Sequence, residues 1–171
     1  MITIKTKFSG LKLIQTELFK DQRGFFKEIF QNRIEKNNKF VFDCMSYSKK
    51  NVLRGLHIQR KNSQAKLITV VHGAIYDVCV DLRKKSKTYG EKFSIKLSQN
   101  SNTSIIIPAG FAHGFLCLTK NCVLYYKSSK YRDKNSEVSI LWNDPDLKIN
   151  WPVKKPILSE KDQKGILLKN F

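Results

Sequence analysis

Histidine, cysteine, proline and acidic side chains are all scarce in this 171-residue chain, and each scarcity closes a route. The four cysteines, Cys44, Cys79, Cys117 and Cys122, include no CxxC pair, so they are read as reduced thiols packed in a core. With only four prolines and eight glycines, and no Gly-, Pro-, Ser- or Gln-rich tract, a collagen-like repeat and a disordered chain are both excluded. The longest apolar runs, Ile105-Ile106-Ile107 and Cys122-Val123-Leu124-Tyr125-Tyr126, fall far short of the roughly 20 residues that cross a bilayer. Residues 1–7 carry lysines where a secretory signal would have an apolar core, so a cytoplasmic protein is expected. No Gly-rich phosphate loop is present, which removes support for phosphoryl transfer and nucleotide-hydride chemistry.

Fourteen acidic residues against 32 Lys plus Arg leave a formal charge of +18. The 26 lysines are dispersed from Lys5 to Lys169 rather than gathered in a stripe or tail, which describes a solvated surface and not a nucleic-acid interface.

Short runs alternating apolar and polar residues fill most of the chain. Ala74, Tyr76, Val78, Val80 and Leu82 alternate with Ile75, Asp77, Cys79, Asp81 and Arg83, and Phe93, Ile95 and Leu97 with Ser94, Lys96 and Ser98. Further strands are expected over 11–15, 40–47, 52–59, 66–72, 104–107, 114–118 and 122–129. So many short strands indicate one all-β domain over residues 1–171, a sandwich or barrel. Helix is confined to a turn or two near Phe30–Lys36 and a short segment capped at Ser159.

The three histidines can be weighed singly. His57 lies in Leu53-Arg54-Gly55-Leu56-His57-Ile58-Gln59, where a histidine alone is more often a hydrogen-bonded structural residue than a catalyst. Arg54 has the opposite strand parity, so Gly55 must mark a bulge if both side chains serve one pocket. His113 closes a PxGxxH spacing, Pro108 to His113, that matches the second motif of the cupin jelly rolls. His72 has no charged neighbour and reads as structural. Metal-binding cupins need an HxH pair where this chain has His57-Ile58-Gln59, so no metal is expected and cofactor-free acid–base chemistry is the economical reading.

Many collinear motifs between about residues 8 and 165 make the chain similar to a known family. They are Asp21-Gln22-Arg23-Gly24-Phe25-Phe26-Lys27-Glu28, Val52 to Gln59, Gln64-Ala65-Lys66-Leu67, Asp77 to Arg83, Ile107 to Phe115, Tyr126-Lys127, Trp142-Asn143-Asp144-Pro145, Trp151-Pro152 and Ser159-Glu160-Lys161-Asp162. In these the sequence resembles the nucleotide-sugar 3,5-epimerases, the dTDP-4-dehydrorhamnose 3,5-epimerase-like cupins. The resemblance implies a jelly-roll homodimer without metal or other cofactor, with N-terminal strands and a C-terminal helical tail packed on the domain, acting on a nucleotide-diphosphate 4-keto sugar. It implies His57 as base, oriented by Asp162, Lys66 as the cation beside the O4 enolate, and Tyr126 as the acid on the opposite face of the sugar. Arg23, Glu28, Arg54 and His113 match positions that line the family's site.

Two segments depart from the family. Where relatives read Gln, Asn, Ser and Ser at alternate positions, this chain has Phe42, Cys44, Ser46 and Ser48, so two amides that contact the nucleotide sugar are gone. Arg132 follows Tyr131 where a second aromatic is expected. Because polar readout discriminates strongly between ligands, the substrate is expected to differ from the usual thymidine-linked hexose, a GDP-linked 4-keto-heptose being one such sugar. A C3-only epimerase, a 3,4-ketoisomerase and a non-catalytic sugar-binding jelly roll remain as alternatives.

Overall fold

Alternation of side chains becomes two facing antiparallel sheets in the computed structural model, which describes all 171 residues. The strands are β1 (Ile2–Lys5), β2 (Lys12–Gln15), β3 (Leu18–Asp21), β4 (Gly24–Lys27), β5 (Phe42–Lys49), β6 (Leu53–Gln59) and β7 (Lys66–His72). They continue as β8 (Ala74–Asp81), β9 (Lys92–Ser98), β10 (Thr103–Ile107), β11 (Phe111–Cys117), β12 (Asn121–Ser128) and β13 (Glu137–Ser139). One sheet has the order β1-β2-β10-β7-β12-β5 and the other β13-β6-β11-β8-β9, while β3 and β4 form a separate hairpin. Helix is limited to α1 (Glu160–Gln163) and two 3-10 turns, Asn32–Ile34 and Leu168–Asn170.

The main core lies between the sheets. Ile68, Val70, Ile105, Ile107 and Leu124 from the first meet Ile75, Leu97, Phe111 and Phe115 from the second, with Phe8 packed edge-on against Phe93 and Phe111. Burying each such side chain contributes about 1.5–3 kcal/mol, which fixes the strands that carry the polar groups described below. β8 shows why its sequence is apolar in both registers. Its Ile75 and Cys79 face this core, while Val78 and Val80 join Leu56, Ile140 and Leu147 in a second cluster, against which Trp151, Ile166 and Phe171 of the C-terminal segment pack. A third, small cluster of Ile14, Leu67 and Ile106 is covered by Met1, Phe30, Ile34 and Phe40.

Nine strands fall where the alternation places them; β1, β3, β4 and β13 do not announce themselves. β1 is exposed along its whole length and β3–β4 nearly so, so no core imprints an apolar period on them, and β13 is three residues long. The helical turn expected near Phe30–Lys36 is one 3-10 turn, and Ser159 caps α1 as expected, accepting from the Asp162 N–H. Cys79, Cys117 and Cys122 are buried free thiols, but Cys44 corrects the core reading: it is exposed, on edge strand β5.

Gly55 sits at a bulge. His57 pairs with His113 and Arg54 with Phe115, so Gly55 and Leu56 together oppose Gly114 alone. Gly55 adopts φ +126°, and a Cβ there would stand 2.5 Å from Gly114 Cα and 2.8 Å from the His113 carbonyl. Gly55→Ala is expected to destabilise the protein by about 2–4 kcal/mol, read from the urea unfolding midpoint; wild-type stability would contradict the close approach.

Candidate active site

The inner faces of the sheets leave a cleft of about 270 Å³ at the end marked by the bulge. One wall comes from β5, β7 and β12, the other from β6, β11 and β13, and the cleft is lined by His57, Lys66, Tyr126, Arg54, His113 and Arg132 among others. The bulge answers the parity problem, since Arg54 and His57 both reach the same cleft.

His57 Nε2 lies 2.5 Å from Asp162 Oδ1 across 105 residues of sequence. The carboxylate is 3% exposed. It is prepared by its surroundings: Ser159 Oγ donates to Oδ2 at 2.8 Å and Ser139 Oγ to Oδ1 at 3.3 Å. Burial alone would push the Asp162 carboxyl up; the hydrogen bond and charge of His57, with donors from Ser159 and the Gly55 N–H, outweigh it and hold the group below its ordinary value. A carboxylate so placed fixes the imidazole with Nε2 toward Asp162 and leaves Nδ1 as the ring nitrogen for proton transfer.

Tyr126 stands on the opposite wall, its hydroxyl 2.9 Å from Ser46 Oγ. Burial drives its phenol well above the ordinary value, which keeps it protonated and able to donate. Lys66 begins β7, where burial pushes its ammonium below the ordinary value while the charge of Glu137 opposes the shift. Together these groups can remove a proton from one face of a bound carbon acid, hold the developing oxyanion, and return a proton to the other face.

His113 forms a second pair with fully buried Asp77, Nε2 to Oδ2 at 2.8 Å. Arg54 is anchored by Nε to Ser48 Oγ at 2.9 Å and by Nη2 to the Tyr47 carbonyl at 3.0 Å. At the cleft mouth Glu137 accepts from Arg132 Nε and Lys161 Nζ, each at 2.8 Å. Burial would raise the Glu137 carboxyl, but these two donors and the His57 charge bring it down from 4.5 to about 2.

All three positions that depart from the family line the cleft: Phe42 and Cys44 on β5, with the Phe42 ring 6.0 Å from that of Tyr131, and Arg132 beside them. Arg23 and Glu28 do not. Arg23 is on the exposed β3–β4 hairpin, paired with Asp21, and Glu28 follows it, accepting from Gln31; neither lines the cleft. His72 is exposed at the end of β7, outside the cleft. Sequence reasoning missed Asp77, Ser46 and Glu137. A carboxylate between Ile75 and Cys79 on the inward row of β8 is a usable signal for Asp77; Ser46 shares the cleft-facing row of Phe42 and Cys44; Glu137 sits in a strand too short to have one.

The fold and this arrangement define a jelly-roll isomerase. The model of the dTDP-4-dehydrorhamnose 3,5-epimerase family matches residues 5–170, and the chain belongs to that family. The dTDP-4-dehydrorhamnose 3,5-epimerase of Methanothermobacter thermautotrophicus is 44% identical over 167 residues, 94% of this chain and 90% of the relative. The dTDP-4-dehydrorhamnose 3-epimerase of Streptomyces niveus is 34% identical, over 93% of this chain and 80% of its own. The crystal structure of dTDP-6-deoxy-D-glucose-3,5-epimerase from Legionella pneumophila, in complex with dTDP-4-keto-L-rhamnose, matches with a TM-score of 0.94 at 41% identity, over 98% of this chain and 93% of that one.

Because the folded-state value of Glu137 is depressed, its contribution to stability is present above pH 4.5 and is lost as the pH falls toward 2. Glu137→Gln is therefore expected to melt below wild type at neutral pH, with the gap closing over that acid range. A gap that is constant with pH would contradict the ion pairs.

Proposed function

We propose that the protein inverts C3 and C5 of a nucleotide-diphosphate 4-keto sugar, with dTDP-4-dehydro-6-deoxyglucose as the reference substrate, by cofactor-free proton transfer through an enolate. The observation that carries this reading is the placement of a carboxylate-bound imidazole and a protonated phenol on facing walls of one cleft, with a lysine of β7, the strand beside that of the phenol, lining the same cleft. The C4 ketone acidifies the hydrogens at C3 and C5. His57 removes each in turn, Lys66 stabilises the charge on O4, and Tyr126 returns a proton to the opposite face. Arg54 and Arg132 suit the diphosphate, and His113, held by Asp77, lies across from His57 on the neighbouring strand. The names and bound ligand of the relatives support the sugar class. The enzyme acts in the cytoplasm, in the synthesis of cell-surface carbohydrate, as a homodimer of this single domain. Exposed Phe19, Phe25 and Phe26 on the β3–β4 hairpin support self-association, and Arg23 and Glu28 stand on or next to that hairpin.

A second, finer reading concerns the substrate. Phe42 and Cys44 offer no amide to the cleft, and Arg132 adds a guanidinium, which favours a sugar nucleotide other than the thymidine-linked hexose; a GDP-linked 4-keto-heptose is the candidate. Guanosine diphosphate is then expected to raise the melting temperature more than thymidine diphosphate does, and the reverse order returns the assignment to the thymidine-linked hexose.

Incubation with the 4-keto sugar in deuterated water tests the reaction. Deuterium at C3 and C5 with the ketone still at C4 is expected, and label at C3 alone would make the protein a C3 epimerase. A product ketone at C3 would make it a ketoisomerase. His57→Asn is expected to abolish exchange and Asp162→Asn to slow it about 10²–10⁴-fold; undiminished turnover in either removes the pair from the mechanism.

A further inference from the structure

The phenol that returns the proton must be aimed as well as protonated, and one side chain is placed to aim it. We propose that Ser46 is a positioning residue whose hydroxyl holds the Tyr126 oxygen, so that a proton removed from one face of the sugar is replaced from the other. The assignment rests on the reading of His57 as base and Tyr126 as acid.

Ser46 reaches Tyr126 because of strand register. β5 pairs with β12 so that Cys44 opposes Tyr126 and Ser46 opposes Leu124, which sets Ser46 diagonal to the tyrosine. Period-two alternation puts Phe42, Cys44, Ser46 and Ser48 in one row on the cleft side of β5. The row divides by chemistry. Phe42 and Cys44 are free to touch a ligand, whereas both serines are committed to site side chains: Ser48 Oγ accepts from Arg54 Nε, and Ser46 Oγ stands 2.9 Å from Tyr126 Oη.

Either hydroxyl can donate in that contact at rest, and the reaction fixes its polarity. If Tyr126 is to give its proton to the sugar, the O–H must point at the carbon, and the serine hydroxyl must then donate to the phenol oxygen. His57 takes the C–H proton, the electron pair passes into the enolate, Tyr126 protonates the same carbon from the opposite face, and the phenolate left behind accepts the Ser46 hydrogen bond. Solvent reprotonates the phenolate and takes the proton from His57, so the net change is inversion alone. A hydroxyl donating to an oxygen that becomes charged strengthens as the transfer proceeds, so it acts on turnover more than on binding. The Ser46 hydrogen bond also opposes the upward push of burial on the phenol.

Exchange and inversion separate this role from a structural one. Without a well-aimed acid, His57 still removes the proton and can return a solvent-derived one to the same face, giving label without inversion. In deuterated water with the 4-keto sugar, Ser46→Ala is expected to keep deuterium uptake within about twofold of wild type while inverted product falls about tenfold at unchanged KM. Ser46→Thr is expected to restore inversion and the similarly shaped Ser46→Val not to, a comparison that stands even if the alanine variant folds poorly. In a Tyr126→Phe background the alanine change is expected to add nothing. Wild-type partition of exchange and inversion in Ser46→Ala, equal loss of both with raised KM, or a full additive loss on Tyr126→Phe would each overturn the assignment. A wild-type protein that neither exchanges nor inverts would overturn the epimerase reading itself, and Ser46 with it.

Discussion

A carboxylate in a nearly dry setting needs a partner, and in this protein the partner is His57. Asp162 has lost its water and stands 2.5 Å from the imidazole, so each group depends on the other. Leaving such a charge buried alone costs several kcal/mol, which gives the fold a reason to keep the pair together. Much of the local architecture serves this contact. Ser159 begins α1 and holds Asp162 through its backbone and its side chain; β13 supplies Ser139; the Gly55 bulge turns β6 so that His57 and Arg54 reach one cleft. The C-terminal segment, bridged through Ile166 to Ile140 just after β13, is covering for the second cluster and carrier of the carboxylate at once.

Opposed walls explain why a sandwich suits inversion. A base and an acid on the same strand or face would favour removing and restoring a proton on one side. Here the imidazole belongs to the five-stranded sheet and the phenol to the six-stranded one, with the cleft between. The surplus of cations has a local counterpart in Lys66, Arg54 and Arg132, which line that cleft. Their individual settings differ: Lys66 loses solvent, Arg54 is tethered to Ser48 and Tyr47, and Arg132 leans on Glu137.

The strands with one face in the core were legible because burial imposes a two-residue period, as in β9. Edge strands such as β1 and the β3–β4 hairpin were not, because solvent on both sides imposes none. In the site, the positions of His57, Tyr126, Lys66 and Asp162 followed from motif resemblance rather than from periodicity: nothing local in Ser159-Glu160-Lys161-Asp162 says that it closes on a histidine 105 residues earlier. Gly55 could be read directly, since opposite parity of two residues bound for one pocket demands a bulge. Ser46 and Asp77 act through contacts between strands distant in sequence, and pairing of that kind is fixed only once the sheets have formed, while Glu137 is held by Arg132 of the preceding loop and Lys161 of α1.

The state of one ring tests the central claim most directly. With histidine labelled by nitrogen-15, the ring resonances of His57 report which nitrogen bears the proton. In the neutral ring, a proton on Nε2 shared with Asp162 rather than on Nδ1, and loss of that preference in Asp162→Asn, are the predicted result. A proton settled on Nδ1, or a tautomer indifferent to Asp162, would contradict a base poised by the buried carboxylate.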